Sequence, residues 1–301
     1  MPQWRRLGAG SVASVELAGP TERELDAESA DWLRRLSAGA DALRQQAERE
    51  LHARLVRIGL AEVSRRSAGT PVTGPELTDV AHQAADDAML AILAKLADFR
   101  GESRFITWAY RFVILEVSGK LGRHYWRNPP VALDAGQWER LPDRFGIDPA
   151  RHAEAAGVLA EVRRVVEEEL TAHQRRVFVA VVVDGIPLDA LAAELGLQRN
   201  AIYKVIFDAR RKIRCALVAK GYLEEPAGAA MSELGRLERF LRTDPRDVGC
   251  DEVVAVLHVY VDLVAAGEDA AGRYPGVAAH LLACGPCDED FTGLLAAVAN
   301  G

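Results

Sequence analysis

Three cysteines and a histidine near the C-terminus have the types and spacing to hold a soft metal ion. In His280-Leu-Leu-Ala-Cys284-Gly-Pro-Cys287 the histidine and first cysteine stand one helical turn apart, on one face, and Cys287 rounds the turn behind them. Cys250, thirty residues before His280, can supply a fourth ligand. Three thiolates and an imidazole make a closed tetrahedral set that suits structural zinc, and binding in so small a unit contributes directly to folding.

A redox reading competes, because Cys-Gly-Pro-Cys is also the thioredoxin active-site tetrapeptide, in which a helix start lowers one thiol pKa. No strand-like alternation surrounds it here, and His280 stands where a ligand would. His258 is a substitute ligand by type, but in the apolar run VVAVLHVYVDLV it reads as a packed or partly exposed side chain. The fourth cysteine, Cys215, lies apart and reads as a buried small hydrophobe.

A second constellation lies in IPLDALAAELGLQRNAIYKVIF, residues 186–207. A helix-turn-helix needs a small residue at the helix crossing, a turn residue tolerant of unusual backbone angles, and polar or basic residues outside its second helix. Ala192, Gly196 and the set Arg199, Asn200, Tyr203 and Lys204 meet these needs, with Ile202, Val205 and Ile206 facing inward. Arg210, Arg211 and Arg214 continue the basic flank toward phosphates.

Charge is uneven along the chain. The net charge is −7, yet residues 196–220 hold seven basic side chains against one acidic, whereas residues 223–301 hold five basic against fourteen acidic. A basic patch followed by an acidic unit fits a nucleic-acid binder whose last part competes for the same surface.

The stretch from Phe105 to Trp126 puts Trp108, Tyr110, Phe112, His124, Tyr125 and Trp126 among Arg104, Arg111, Lys120, Arg123 and Arg127. Aromatic faces can stack on unpaired bases while the cations follow phosphates. Trp108 and Phe112, four apart, read first as core.

An acidic pair, Asp86-Asp87, before an apolar helix, then Phe99-Arg100-Gly101-Glu102-Ser103, then a Thr107-Trp-x-Tyr-Arg111 helix with a basic end resembles region two of extracytoplasmic-function sigma factors. The helix-turn-helix unit resembles their region four, and Cys250 with His-x3-Cys-x2-Cys resembles the zinc-associated anti-sigma domain, here fused in cis. The two sigma matches cover residues 27–127 and about 155–222.

The resemblance implies that Asp86, Asp87, Leu90 and Leu93 contact core RNA polymerase. It implies that Phe99, Arg100, Gly101 and Ser103 accept a base flipped from the minus-ten element, with Arg111, Lys120, Arg123 and Tyr125 on the adjoining duplex. Arg199, Asn200, Tyr203 and Lys204, flanked by Arg210, Arg211 and Arg214, would read the minus-thirty-five element. Two departures stand out: Gln198 replaces a common capping Ser, which costs about 1 kcal/mol, and Ala201 replaces a common Thr.

These positions require an all-α chain. The expected order is a disordered extension (1–26), a region-two helical bundle (27–127), a linker (128–154), a region-four helix-turn-helix (155–222), a linker (223–230) and a zinc-binding regulatory unit (231–301). Within the bundle, two helices are expected up to Arg66, broken near Gly39, with a loop over residues 67–76.

No run approaches the roughly 20 apolar residues that span a bilayer, so the expectation is a cytoplasmic protein with no membrane partner. No paired carboxylates, nucleophile with base or open metal site suggests catalysis. The expected partners are core RNA polymerase, promoter DNA and, where one exists, a separate anti-sigma factor. A stand-alone helix-turn-helix regulator with a zinc- or thiol-sensing effector unit, and a protein-interaction scaffold, are the other readings left open.

Overall fold

The computed structural model describes residues 25–39, 42–67, 75–125, 152–183, 186, 188–223, 237, 240, 241 and 243–300. Every regular element among them is helical, as expected of an all-α chain. The expected N-terminal extension and both linkers fall largely outside the described residues.

Helix α1 (Ala27–Leu36) starts where the Asp26 carboxylate accepts the Ser29 backbone N–H at 2.9 Å, capping an otherwise unpaired donor. Helix α2 (Ala42–Ser67) buries Ala47, Leu51, Leu55, Ile58, Gly59 and Val63, which recur three and four apart and make one stripe. Helix α3 (Pro75–Ala94) answers it with Val80, Ala84, Ala88 and Ile92; small residues on this face let the two helices approach closely.

Helix α4 (Phe105–Tyr125) breaks the amphipathic rule. Phe105, Trp108, Tyr110, Phe112, Val113, Ile114 and Val117 are all buried, and they point in every direction around the axis. A helix apolar all round must be covered all round. One side packs on α1, α2 and α3, and the other meets helices from both later parts of the chain.

Helices α5 (His152–Glu168), α6 (Ala172–Phe178), α7 (Leu188–Leu195) and α8 (Arg199–Ala219) follow, with a π-helical turn, Val179–Val183, after α6. Thr171 and Gln174 cap α6 reciprocally. The turn between α7 and α8 is a Schellman motif: Leu197 N–H bonds Ala192 O at 2.9 Å and Gly196 N–H bonds Ala193 O. It places Gly196 at φ +63°, a left-handed angle that glycine adopts without steric cost. Gln198 occupies the N-cap of α8 without a side-chain bond, as its replacement of Ser implied.

Helices α9 (Cys250–Ala265), α10 (Ala270–Arg273), α11 (Pro275–Ala283) and α12 (Gly285–Asn300) form the last part. α9 and α12 pack on α4, α12 touches α2, and α9 touches α8, so this part sits against both earlier ones.

Candidate metal centre

The four ligand candidates converge from three helices. Cys250 opens α9, His280 lies in α11, Cys284 caps α11 in an extended conformation and Cys287 sits in the first turn of α12. Their ligating atoms all lie within 4.8 Å of one another, and all four residues are buried. The Cys250 and Cys284 sulfurs are 3.9 Å apart, and His280 Nε2 is 3.2 Å from Cys287 Sγ. A tetrahedron with zinc–sulfur arms of about 2.3 Å has edges of about 3.8 Å, so the donor set fits that ion.

The four groups share their protons unevenly: hydrogen bonds from the Cys250 and Cys287 thiols, with His280 beside them, hold the Cys284 thiol well below its usual range, while Cys250 and Cys287 are pushed up. Burial disfavours charge on His280, but the Asp247 carboxylate and the cysteines overcome this and push it up to about 11, so a metal would bind by displacing the protons of His280, Cys250 and Cys287. His280 Nδ1 lies 2.8 Å from Asp247 Oδ1, the carboxylate–histidine arrangement that fixes which ring nitrogen faces a metal.

The outer contacts come from α8. The Tyr203 hydroxyl donates to the other Asp247 oxygen, and its ring centroid lies 4.4 Å from that of His280. Arg199 donates to Cys287 Sγ at 3.2 Å and to Asp290 Oδ2 at 3.0 Å. Asp290 Oδ1 in turn accepts from Arg66 on α2 at 2.8 Å, and Arg66 reaches Ser118 on α4 at 3.1 Å. Gly249, just before α9, lets the Asn200 side chain lie directly against the backbone; a Cβ there would make that side chain turn aside.

Arg210 is only 5% exposed, lies 4.3 Å over the Phe240 ring, and leaves Nε and Nη1 without hydrogen-bond partners. Burial works against its charge, and the Tyr203, Cys284 and Asp247 groups work for it.

A second contact joins α9 to α4. Asp262 accepts from the Arg104 backbone N–H at 2.6 Å, from its guanidinium at 3.1 Å and from the Thr107 hydroxyl at 2.7 Å. Arg111 donates to Ala255 O at 2.8 Å and lies 2.9 Å from His258 Nδ1. Burial and the Arg111 charge push His258 down to about 3, and burial lowers Arg111 to about 10.

The remaining sequence-derived positions scatter. Phe99 packs edge-on against Phe105 and Trp108 at 5.6 and 5.4 Å, so its ring belongs to the aromatic core together with Trp108 and Phe112. Gly101 adopts φ +70°, Arg100 is exposed, and Ser103 is buried. Their loop borders a cavity of about 260 Å³ whose far wall is α9, through Val259, Asp262 and Leu263. Lys120 is buried in an ion pair with Asp87. The side chains of Arg123 and Tyr125, in the last turn of α4, lie outside the described residues. On α3, Asp86 meets His52 at 2.7 Å, Leu90 is 68% exposed and Leu93 is half-buried. Lys204 and Arg211 are exposed, and Arg214 is half-buried.

One expectation is corrected: Cys215 is exposed, in a groove of about 570 Å³ with Arg211, Lys212 and Lys220. The buried stripe of α8 runs Ile202, Ile206, Ala209, Ile213, Leu217, and Cys215, two residues from Ile213, projects roughly 200° away from it. His258, by contrast, is packed at an interface and is not a ligand.

Sequence reading missed Asp247, Asp262, Asp290 and Arg66. Asp290 had a readable signal, standing three residues after Cys287 and so on the same face of α12, one turn on.

Among the described residues no helix is long and apolar enough to cross a membrane. No family model, no curated protein and no solved structure matches this chain.

Proposed function

We propose that the chain is a promoter-specificity factor of the extracytoplasmic-function sigma kind, held closed in cis by its metal-binding C-terminal part. In this reading α1–α4 form region two, α5–α8 form region four with α7 and α8 as the helix-turn-helix, and α9–α12 are the anti-sigma-like unit.

One observation carries the reading. Side chains expected to meet DNA on two separate units, Arg111 on α4 and Arg199, Asn200, Tyr203 and Arg210 on α8, are engaged or covered by one acidic segment. Tyr203 is 3% exposed and the Arg199 side chain 12%, although both belong to a surface meant for a large polyanion. Asp247, Asp262 and Asp290 pair with Tyr203, Arg104 and Arg199, donors that this reading assigns to DNA. Carboxylates are suited to this, since they offer guanidinium and hydroxyl donors the same charge-assisted acceptors.

Asp86 and Leu90 on α3 stay exposed, so the face expected to meet core RNA polymerase is not among those covered. A structural zinc held by Cys250, His280, Cys284 and Cys287 would fix α9, α11 and α12 to one another and thereby keep Asp247 and Asp290 in place. The C-terminal part then does inside one chain what a separate anti-sigma factor does for others, and no catalytic step is invoked.

The test is selection of duplexes from a random pool by the full chain, with and without core polymerase, for wild type and Asp262→Ala/Asp290→Ala. Enrichment of a two-part motif that depends on polymerase and is stronger in the double variant supports the reading. Enrichment without polymerase instead identifies a stand-alone helix-turn-helix regulator. No enrichment and no polymerase binding by either protein would sink both.

A further inference from the structure

We infer that α8 is part of the metal centre itself: Arg199 and Tyr203 complete its outer shell, so metal and DNA make competing demands on the same two side chains. The metal half of this inference stands on geometry alone, and the DNA half rests on the function proposed above.

Cys287 and His280 are each backed by a different α8 residue, Cys287 directly by Arg199 and His280 by Tyr203 through Asp247. Arg199 donates to Cys287 Sγ through Nη2 and to Asp290 through Nη1, which aims the fork of its guanidinium at one sulfur and one carboxylate. An N–H···S bond stabilises a thiolate against reprotonation, and a cation here offsets the excess negative charge of three thiolates around a divalent ion. Tyr203 acts one step further out, through Asp247, whose other oxygen orients His280. The side chains of Asp247 and Asp290 are each about 1% exposed, so neither carboxylate can replace an α8 donor with water unless the contact opens.

Loss of one outer-shell partner typically weakens metal binding ten- to a hundredfold. An Arg199 that turns outward to a base edge or phosphate leaves Cys287 and Asp290, and a Tyr203 that follows it leaves Asp247. Linkage then works in both directions: DNA that engages these side chains weakens metal binding by the same factor by which metal weakens DNA binding. Lys204, their exposed neighbour, is the comparison that separates a change in DNA contact from a change in the metal shell.

The experiment measures zinc affinity of the full chain by competition with a chromophoric chelator. Arg199→Ala and Tyr203→Phe are each expected to bind zinc ten- to a hundredfold more weakly than wild type, and Lys204→Ala within twofold. Tyr203→Phe removes a single oxygen, so it carries the test if Arg199→Ala fails to fold. Cobalt substituted for zinc in Arg199→Lys should shift the sulfur-to-metal absorption band, which a remote packing change would leave in place. Wild-type zinc affinity in both Arg199→Ala and Tyr203→Phe would overturn the inference. A selected duplex that binds the chain without weakening its hold on zinc would overturn the competition. If no duplex binds at all, the function proposed above fails, while the zinc affinities still decide the outer-shell role.

Discussion

Acidification should loosen the contact between α9 and α4, and His258 sets the amount. Buried 2.9 Å from the Arg111 guanidinium, His258 is held neutral, with its pKa down from 6.5 to about 3. Among the described residues no carboxylate offsets this: Asp262, one turn along α9, is already taken by Arg104 and Thr107. The sign follows from where the proton goes. A depressed histidine binds fewer protons in the native state than when exposed, so its contribution is complete above about pH 6.5 and is lost as pH falls toward 3. Between pH 7.5 and 5.5 the native state should lose about 1.4 kcal/mol, a tenfold change in equilibrium constant, through this group alone. The assay is urea unfolding of wild type and His258→Gln at both pH values with zinc saturating. Glutamine keeps an acceptor for Arg111 and does not titrate, so the variant should lose about 1.4 kcal/mol less over this interval. Parallel losses in the two proteins would refute the reasoning.

Asp290→Ala should cost about 3–5 kcal/mol in chemical denaturation, because it leaves Arg66 and Arg199 buried without their shared counter-charge. Gly196→Ala should cost about 1 kcal/mol by the same measurement; nothing lies within 4 Å of a Cβ there, so the penalty is purely that of φ +63°. Gln198→Ser should stabilise by about 0.5–1 kcal/mol, by giving α8 the side-chain cap it lacks. Elemental analysis of the purified chain should find one zinc per molecule, and Cys284→Ser/Cys287→Ser should abolish it; a zinc-free wild type would refute the site.

Local structure was readable to the extent that periodicity encodes it. The stripes of α2 and α8, the glycine turn before Leu197 and the Cys–His spacing all follow from side-chain geometry within a few turns of chain. Arg66, Asp247 and Asp262 were not readable, because each pairs with a residue tens to hundreds of positions away; the place of Asp290 near Cys287 was legible, but its partners Arg66 and Arg199 were not. Arg199 and Tyr203 show the same limit: their outward place on α8 was legible, but what covers them was not. Cys215 departs from expectation for a different reason: its residue type is apolar, but its angle turns it away from the buried stripe of its own helix.

The two oxygens of Asp290 go to different masters, one to Arg66 and one to Arg199, residues 133 positions apart in sequence. If either guanidinium withdraws alone, the carboxylate stays buried with half its partners, and the remaining pair bears a desolvation cost that two partners had offset. Partial release is therefore the least stable arrangement, and the latch behaves as a conjunction that lets both halves go together or neither. A signal acting on only one half would be filtered out, and the response to one that reaches both would be steeper than either contact could give by itself.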